Sequence, residues 1–150
     1  NIFITDNAII NGSIKLRKAD YGVLFAIYVG ENSYNIFIRR NYLSQIGDQT
    51  ATFCGAIAVS TSPSQGDTKT SDIEISDNTI DYVYGGQSGG ILLMPGNQSI
   101  SGVDIFRNII GPNCKNNILG CYPDPLKNKG KVKYLRYDEK VKVNLNGVST

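Results

Sequence analysis

A chain of 150 residues, 41% of them hydrophobic, is long enough for one domain with an apolar core. A formal charge of +2, no histidine, and no apolar run of membrane-spanning length exclude a strongly basic nucleic-acid binder, a histidine-ligated metal centre and a helical membrane span. Leu-rich helical periodicity is missing, and Ile, Val, Tyr, Thr and 16 glycines favour short strands joined by tight turns.

The first element is Asn1-Ile2-Phe3-Ile4-Thr5-Asp6-Asn7-Ala8-Ile9. It recurs around Asn41, Asn78 and Asn108, at intervals of 34, 37 and 30 residues. The residues five and three before each Asn are Ile or Val, and the residue two after it is Ile9, Leu43, Ile80 or Ile110. Alternation, a break at Asn, then resumed apolarity reads as strand, bend, strand. The recurring Asn is expected to hydrogen-bond the local backbone and its own copy one rung away.

A second phrase lies between the Asn copies. Ala26-Ile27-Tyr28-Val29 matches Ala56-Ile57-Ala58-Val59, then Gly90-Ile91-Leu92-Leu93, and more loosely Asn117-Ile118-Leu119-Gly120. Units repeating at this period bury their apolar faces only by stacking. Three strands per coil, with coils in parallel register ~4.8 Å apart, make an all-β parallel β-helix of about four coils over residues 1–122. Loops at residues 45–54 and 62–71 absorb the variable coil length, and the Gly-rich run 85–90 reads as a flexible loop. Because Asn1 stands inside a repeat, the sequence is expected to be the C-terminal part of a longer solenoid.

Residues 123–150 follow a different pattern. Pro123 and Pro125 interrupt the repeat, and residues 126–143 carry seven Lys or Arg against Asp138 and Glu139. Alternation in Lys131-Val132-Lys133-Tyr134 and Lys140-Val141-Lys142-Val143 predicts a terminal hairpin capping the open end, with its lysines in solvent. Of the three cysteines, Cys114 and Cys121 are near enough in sequence to be bridged, leaving Cys54 over. Asn11-Gly12-Ser13 and Asn97-Gln98-Ser99 fit the glycosylation sequon, a frequent chance match in an Asn-rich chain.

The strand-bend-strand coil with its Asn column resembles the right-handed parallel β-helix of the pectate-lyase-like superfamily. That superfamily holds polysaccharide lyases, glycoside hydrolases, sugar epimerases, phage tailspikes and surface adhesins. The resemblance implies an extracellular, cell-surface or virion-surface protein that cleaves or binds a polysaccharide. The alternatives are a non-enzymatic glycan-binding adhesin and a structural fibre.

Stacking the copies aligns Asp6, Arg40, Asp77 and Arg107. Alternating charge there suits an ion-pair ladder that holds coil register; the lyase-like reading makes Arg a charge neutraliser beside acids holding Ca²⁺. The outward residues Tyr28, Ala58 and Leu92 form an apolar strip, open to cover by a loop, to a homotrimer contact, or to sugar stacking on Tyr28. Glu74 and Asp104 stack as a like-charged pair, in which one raised pKa would give an acid–base couple for glycoside hydrolysis. Further acids, Asp48, Asp67 and Asp81, lie in or beside loops. Arg39, Arg40, Tyr82 and Tyr84 complete the candidate sugar contacts.

Overall fold

The computed structural model describes residues 1–11, 22–48, 50–61, 69–122, 126 and 129–150. Asp67, Pro123, Pro125 and the first sequon's Gly12 and Ser13 lie outside the described residues. The first turn comprises β1 (Ile2–Thr5), β2 (Ala8–Ile10) and β3 (Val23–Val29). The second comprises β4 (Tyr34–Arg39), β5 (Tyr42–Ser44), β6 (Ile46–Gly47) and β7 (Phe53–Ser60). The third comprises β8 (Thr70–Ser76), β9 (Thr79–Ile80), β10 (Val83–Tyr84) and β11 (Gln87–Met94). β12 (Ile100–Phe106), β13 (Ile109–Ile110) and β14 (Ile118–Gly120) make the fourth, followed by β15 (Val132–Tyr137) and β16 (Val143–Asn144).

Equivalent strands pair in parallel. Sheet A runs β1-β4-β8-β12-β15, sheet B β2-β5-β9-β13, and sheet C β3-β7-β11-β14-β16. β6, within the stretch 45–54 expected to be loop, pairs with β10 in a small two-stranded ribbon. The fold is the parallel β-solenoid of about four turns that the repeat predicts.

Register follows the aliphatic columns. Ile36 pairs with Ile73 and Ile73 with Val103; Ile38 pairs with Ile75 and Ile75 with Ile105. All six are at most 3% exposed. A fully buried side chain of this size contributes about 1.5–3 kcal/mol. Because β1 is the edge strand of sheet A, Ile2 remains 55% exposed and Ile4 is only partly covered.

Each corner turns on a left-handed residue one place before the Asn: φ is 58° at Asp6, 55° at Arg40, 56° at Asp77 and 53° at Arg107. Such a conformation costs a residue with a Cβ about 1–2 kcal/mol. The Asn column offsets it. Asn7 Nδ2 donates to Asn41 Oδ1, Asn41 Nδ2 to Asn78 Oδ1, and Asn78 Nδ2 to Asn108 Oδ1, each at 2.9 Å. The same Oδ1 atoms accept backbone N–H bonds at 3.0 Å from Asn7, Asn41 and Asn78. Each downstream amide also donates back to a carbonyl of the preceding turn, at Ile4, Ile38 or Ile75.

Four expectations are corrected. The terminal strands do not form a hairpin: β15 pairs in parallel with β12, and β16 with β14. Val132 and Leu135 align with Ile100 and Val103, so stacking on the previous turn covers apolar side chains that a free hairpin would expose. Gln87–Gly90 is not loop but the start of β11, where small residues leave room for neighbours. A Cβ on Gly55 would lie 2.6 Å from Leu92 Cγ, and one on Gly89 would lie 2.9 Å from Leu119 Cβ.

The outer strip of sheet C is also closed. Ala58, Leu92, Met94, Leu119 and Cys121 are at most 4% exposed and form a second apolar cluster, with Phe25 and Phe53 packed against it. A trimer joined through Leu92 is incompatible with that burial. Finally, all three cysteines are free. Cys114 packs in the main core and Cys121 in the second cluster, where burial pushes its thiol pKa up to about 12.

Candidate functional site

The outer face of sheet A carries the densest collection of polar and aromatic groups. Its middle column, set by strand register, reads Phe3, Phe37, Glu74, Asp104 and Arg136 from β1 to β15. Phe37, Glu74 and Asp104 lie between two inward aliphatics, so the pleat turns them outward, and register aligns Phe3 and Arg136 with them. The Phe3 and Phe37 rings stack with centroids 5.0 Å apart, and Phe3 is 59% exposed.

Glu74 and Asp104 are register partners, as the stacked copies predict, but each carboxylate is clamped. Arg39 reaches diagonally to Glu74, with Nε and Nη2 each 2.6 Å from a carboxylate oxygen, while its guanidinium lies 4.7 Å from the Phe37 centroid. Ser76 Oγ donates to Glu74 Oε1 at 2.7 Å. Arg136 holds Asp104 by two bonds of 2.6 and 2.5 Å. The Arg39 hydrogen bonds lower the Glu74 pKa, outweighing the opposing effect of burial. Stacking of like charges therefore does not produce a raised Glu74 pKa. The carboxylate is held ionised, as a fixed hydrogen-bond acceptor.

Beside this column runs a stacked bulge. Asn35, Asp72, Gly102 and Tyr134 occupy equivalent positions on β4, β8, β12 and β15, with φ of 55°, 57°, 68° and 54°. The four bulges line an open groove of about 390 Å³ together with Phe37, Glu74, Asp104 and Arg136. Ser71 Oγ donates to Asp72 Oδ2 at 2.8 Å, orienting that carboxylate at the groove wall.

Of the residues expected to form a site, Arg39, Glu74 and Asp104 meet here. Arg40 stands at the corner and pairs with Asp6 through bonds of 2.8 and 2.7 Å; Arg107 pairs with Asp77 in the same way. Tyr28 projects from sheet C, 54% exposed and stacked on Phe25 at 5.5 Å. Tyr84 belongs to the β6–β10 ribbon and Tyr82 immediately precedes it, their rings 5.2 Å apart and tilted. Asp48 is bonded by the Thr50 hydroxyl at 2.6 Å. Among the described residues, no three His, Cys, Asp or Glu side chains gather into a set that could hold a metal ion.

Phe37, Asp72, Tyr134 and Arg136 escaped the sequence reading. Phe37 carries a signal in the alternation itself, since it lies between Ile36 and Ile38. Tyr134 and Arg136 become legible only when Val132 and Leu135 are aligned with the aliphatic columns. The chain matches no protein-family model, no curated protein and no solved structure.

Proposed function

We propose that the outer face of sheet A is a carbohydrate-binding surface. On this reading the chain is part of a polysaccharide-directed solenoid of the pectate-lyase-like kind, working outside the cell or on a virion surface. The supporting observation is the stacked Phe3–Phe37 pair beside a groove whose Glu74 and Asp104 carboxylates are each held bidentately by an arginine. Aromatic faces cover the apolar C–H faces of sugars, and fixed carboxylates accept their hydroxyl protons. A hydrolase needs an acid whose pKa is raised, and the lowered pKa of Glu74 favours binding over hydrolysis.

Binding of the intact chain to a polysaccharide panel, followed by calorimetry, tests this. Phe37→Ala and Glu74→Gln are each expected to weaken binding about tenfold, the loss of one stacking or charge-assisted contact. Tyr28→Ala, on sheet C, is the control expected to leave affinity unchanged. Equal loss with Tyr28→Ala, or none with the sheet A variants, refutes the assignment of this face.

A catalytic reading keeps one supporting observation: Glu74 and Asp104 are register partners in a single groove. It predicts new reducing ends or unsaturated products, abolished by Glu74→Gln.

A further inference from the structure

The groove has neighbours on both sides. Tyr34, Lys69, Ser71 and Asp72 line a depression of about 250 Å³ that shares Asp72 with it. On the other side lies one of about 400 Å³, bounded by Phe106, Tyr137 and Asp138, that shares Glu74, Asp104 and Arg136. The three succeed one another along the strands, because Asp72 and Glu74 are alternate residues of β8, and Asp104 and Phe106 are alternate residues of β12. Two residues advance a strand by about 6.7 Å. The depressions thus form one track across the solenoid axis. Each has a tyrosine at its wall: Tyr34 is 62% exposed, Tyr134 80% and Tyr137 44%.

Charge narrows what fits. Asp72, Glu74, Asp104 and Asp138 line the track, while the Arg39 and Arg136 guanidiniums are already engaged bidentately by Glu74 and Asp104. A uronate carboxylate entering the middle depression would face other carboxylates beside guanidiniums already committed. The clamped pairs carry no net charge, so a cationic sugar gains little from them and would depend on Asp72 and Asp138. Hydroxyl groups, by contrast, find acceptors at every step, next to an aromatic ring.

Resting on the carbohydrate-binding reading above, we propose that this track binds an uncharged, linear oligosaccharide of at least three sugar units, laid along the strands of sheet A. Each depression seats one unit against its tyrosine. Lys69, at the Tyr34 end, is the cation on which a uronate would depend, and an uncharged ligand does not need it.

Calorimetric titration of the intact chain decides the matter, using α- and β-linked uncharged hexose oligosaccharides from monosaccharide to hexasaccharide, with oligogalacturonides in parallel. Affinity is expected to rise with length up to the trisaccharide or tetrasaccharide and then level. Oligogalacturonides of equal length should bind about tenfold more weakly or worse. Tyr34→Ala, at one end of the track, and Tyr134→Ala, in its middle depression, should each lower trisaccharide affinity about tenfold. Tyr28→Ala, on sheet C outside the track, should leave it unchanged, and circular dichroism checks the fold of each variant. Monosaccharides binding as tightly as trisaccharides, or uronates binding as tightly as uncharged chains, overturn the track while leaving a binding face in place. Failure of every glycan to bind overturns the face itself.

Discussion

Two side-chain columns run down the same corner, one residue apart, and obey opposite rules. The Asn column repeats one residue in all four turns, whereas the adjacent column reads Asp6, Arg40, Asp77, Arg107. A carboxamide both donates and accepts, so identical copies satisfy one another without limit. A carboxylate only accepts and a guanidinium only donates, so stacked copies must alternate. Burial separates them as well. Asn41 and Asn78 are at most 1% exposed, while the Arg40 and Arg107 side chains are 56% and 65% exposed. The inner column therefore carries stability, and the outer one chiefly selects register.

The largest expected effect comes from breaking the inner column. Asn78→Ala removes two bonds accepted from Asn41 and those donated to Ile38 O and Asn108 Oδ1. Leaving such groups buried and unsatisfied should lower the free energy of unfolding by at least ~3 kcal/mol in urea titration. Asn7→Ala, at the exposed end of the column, should cost only about 1 kcal/mol in the same assay. Equal losses at the two positions would mean that burial does not set the column's worth.

The outer column should respond to charge order and to salt. Asp6→Arg or Arg40→Asp alone sets like charges on adjacent turns, and each should lower the melting temperature at low ionic strength. The double swap restores the pair between residues 6 and 40 but sets a carboxylate at 40 beside Asp77, so it should recover only part of the temperature. Adding ~1 M salt, which shortens the Debye length to about 3 Å, should erase most of these differences. The Asn78→Ala loss should survive it.

Acid gives the smallest and sharpest discrimination. Hydrogen bonds from Arg40, Arg39 and Arg107 lower the pKa values of Asp6, Glu74 and Asp77 respectively. Their contribution is therefore complete above the unfolded carboxylate values of about 3.9–4.3 and disappears as pH falls through the lower folded values. Glu74→Gln should be less stable than the parent at pH 7, and the difference should shrink in melts as pH falls below the unfolded carboxylate range. The Asn78→Ala difference should show no such convergence.

The architecture was readable because stacking forces the same polarity onto equivalent positions, and four copies make that pattern visible. Ile38, Ile75 and Ile105, the Asn column and the alternating ion pairs all follow from alignment alone. What escaped depends on relations that alignment does not carry. Arg39 reaches Glu74 diagonally, across register positions, so a column-by-column reading misses the clamp that holds that carboxylate ionised. The left-handed residue of each corner precedes the Asn, and nothing in the side chains of Arg40 or Arg107 favours positive φ; the neighbouring amide imposes it. The bulges at Asn35, Asp72, Gly102 and Tyr134 share no residue type, so their common backbone geometry was hidden. The hairpin expectation failed because alternation identifies a strand without naming its partner, whereas the spacing of Val132 and Leu135 matches that of Ile100 and Val103 on the previous turn.

Successive corner amides sit 34, 37 and 30 residues apart along the chain, yet meet with the same 2.9 Å geometry. Differences in contour length are thus discharged in the connections and never reach the wall. A segment inserted in such a connection should behave as an interchangeable cassette, silent to the scaffold. The architecture can diversify what it displays while the outer face of sheet A stays unaltered, and a designer could exploit the same decoupling by grafting peptides between turns.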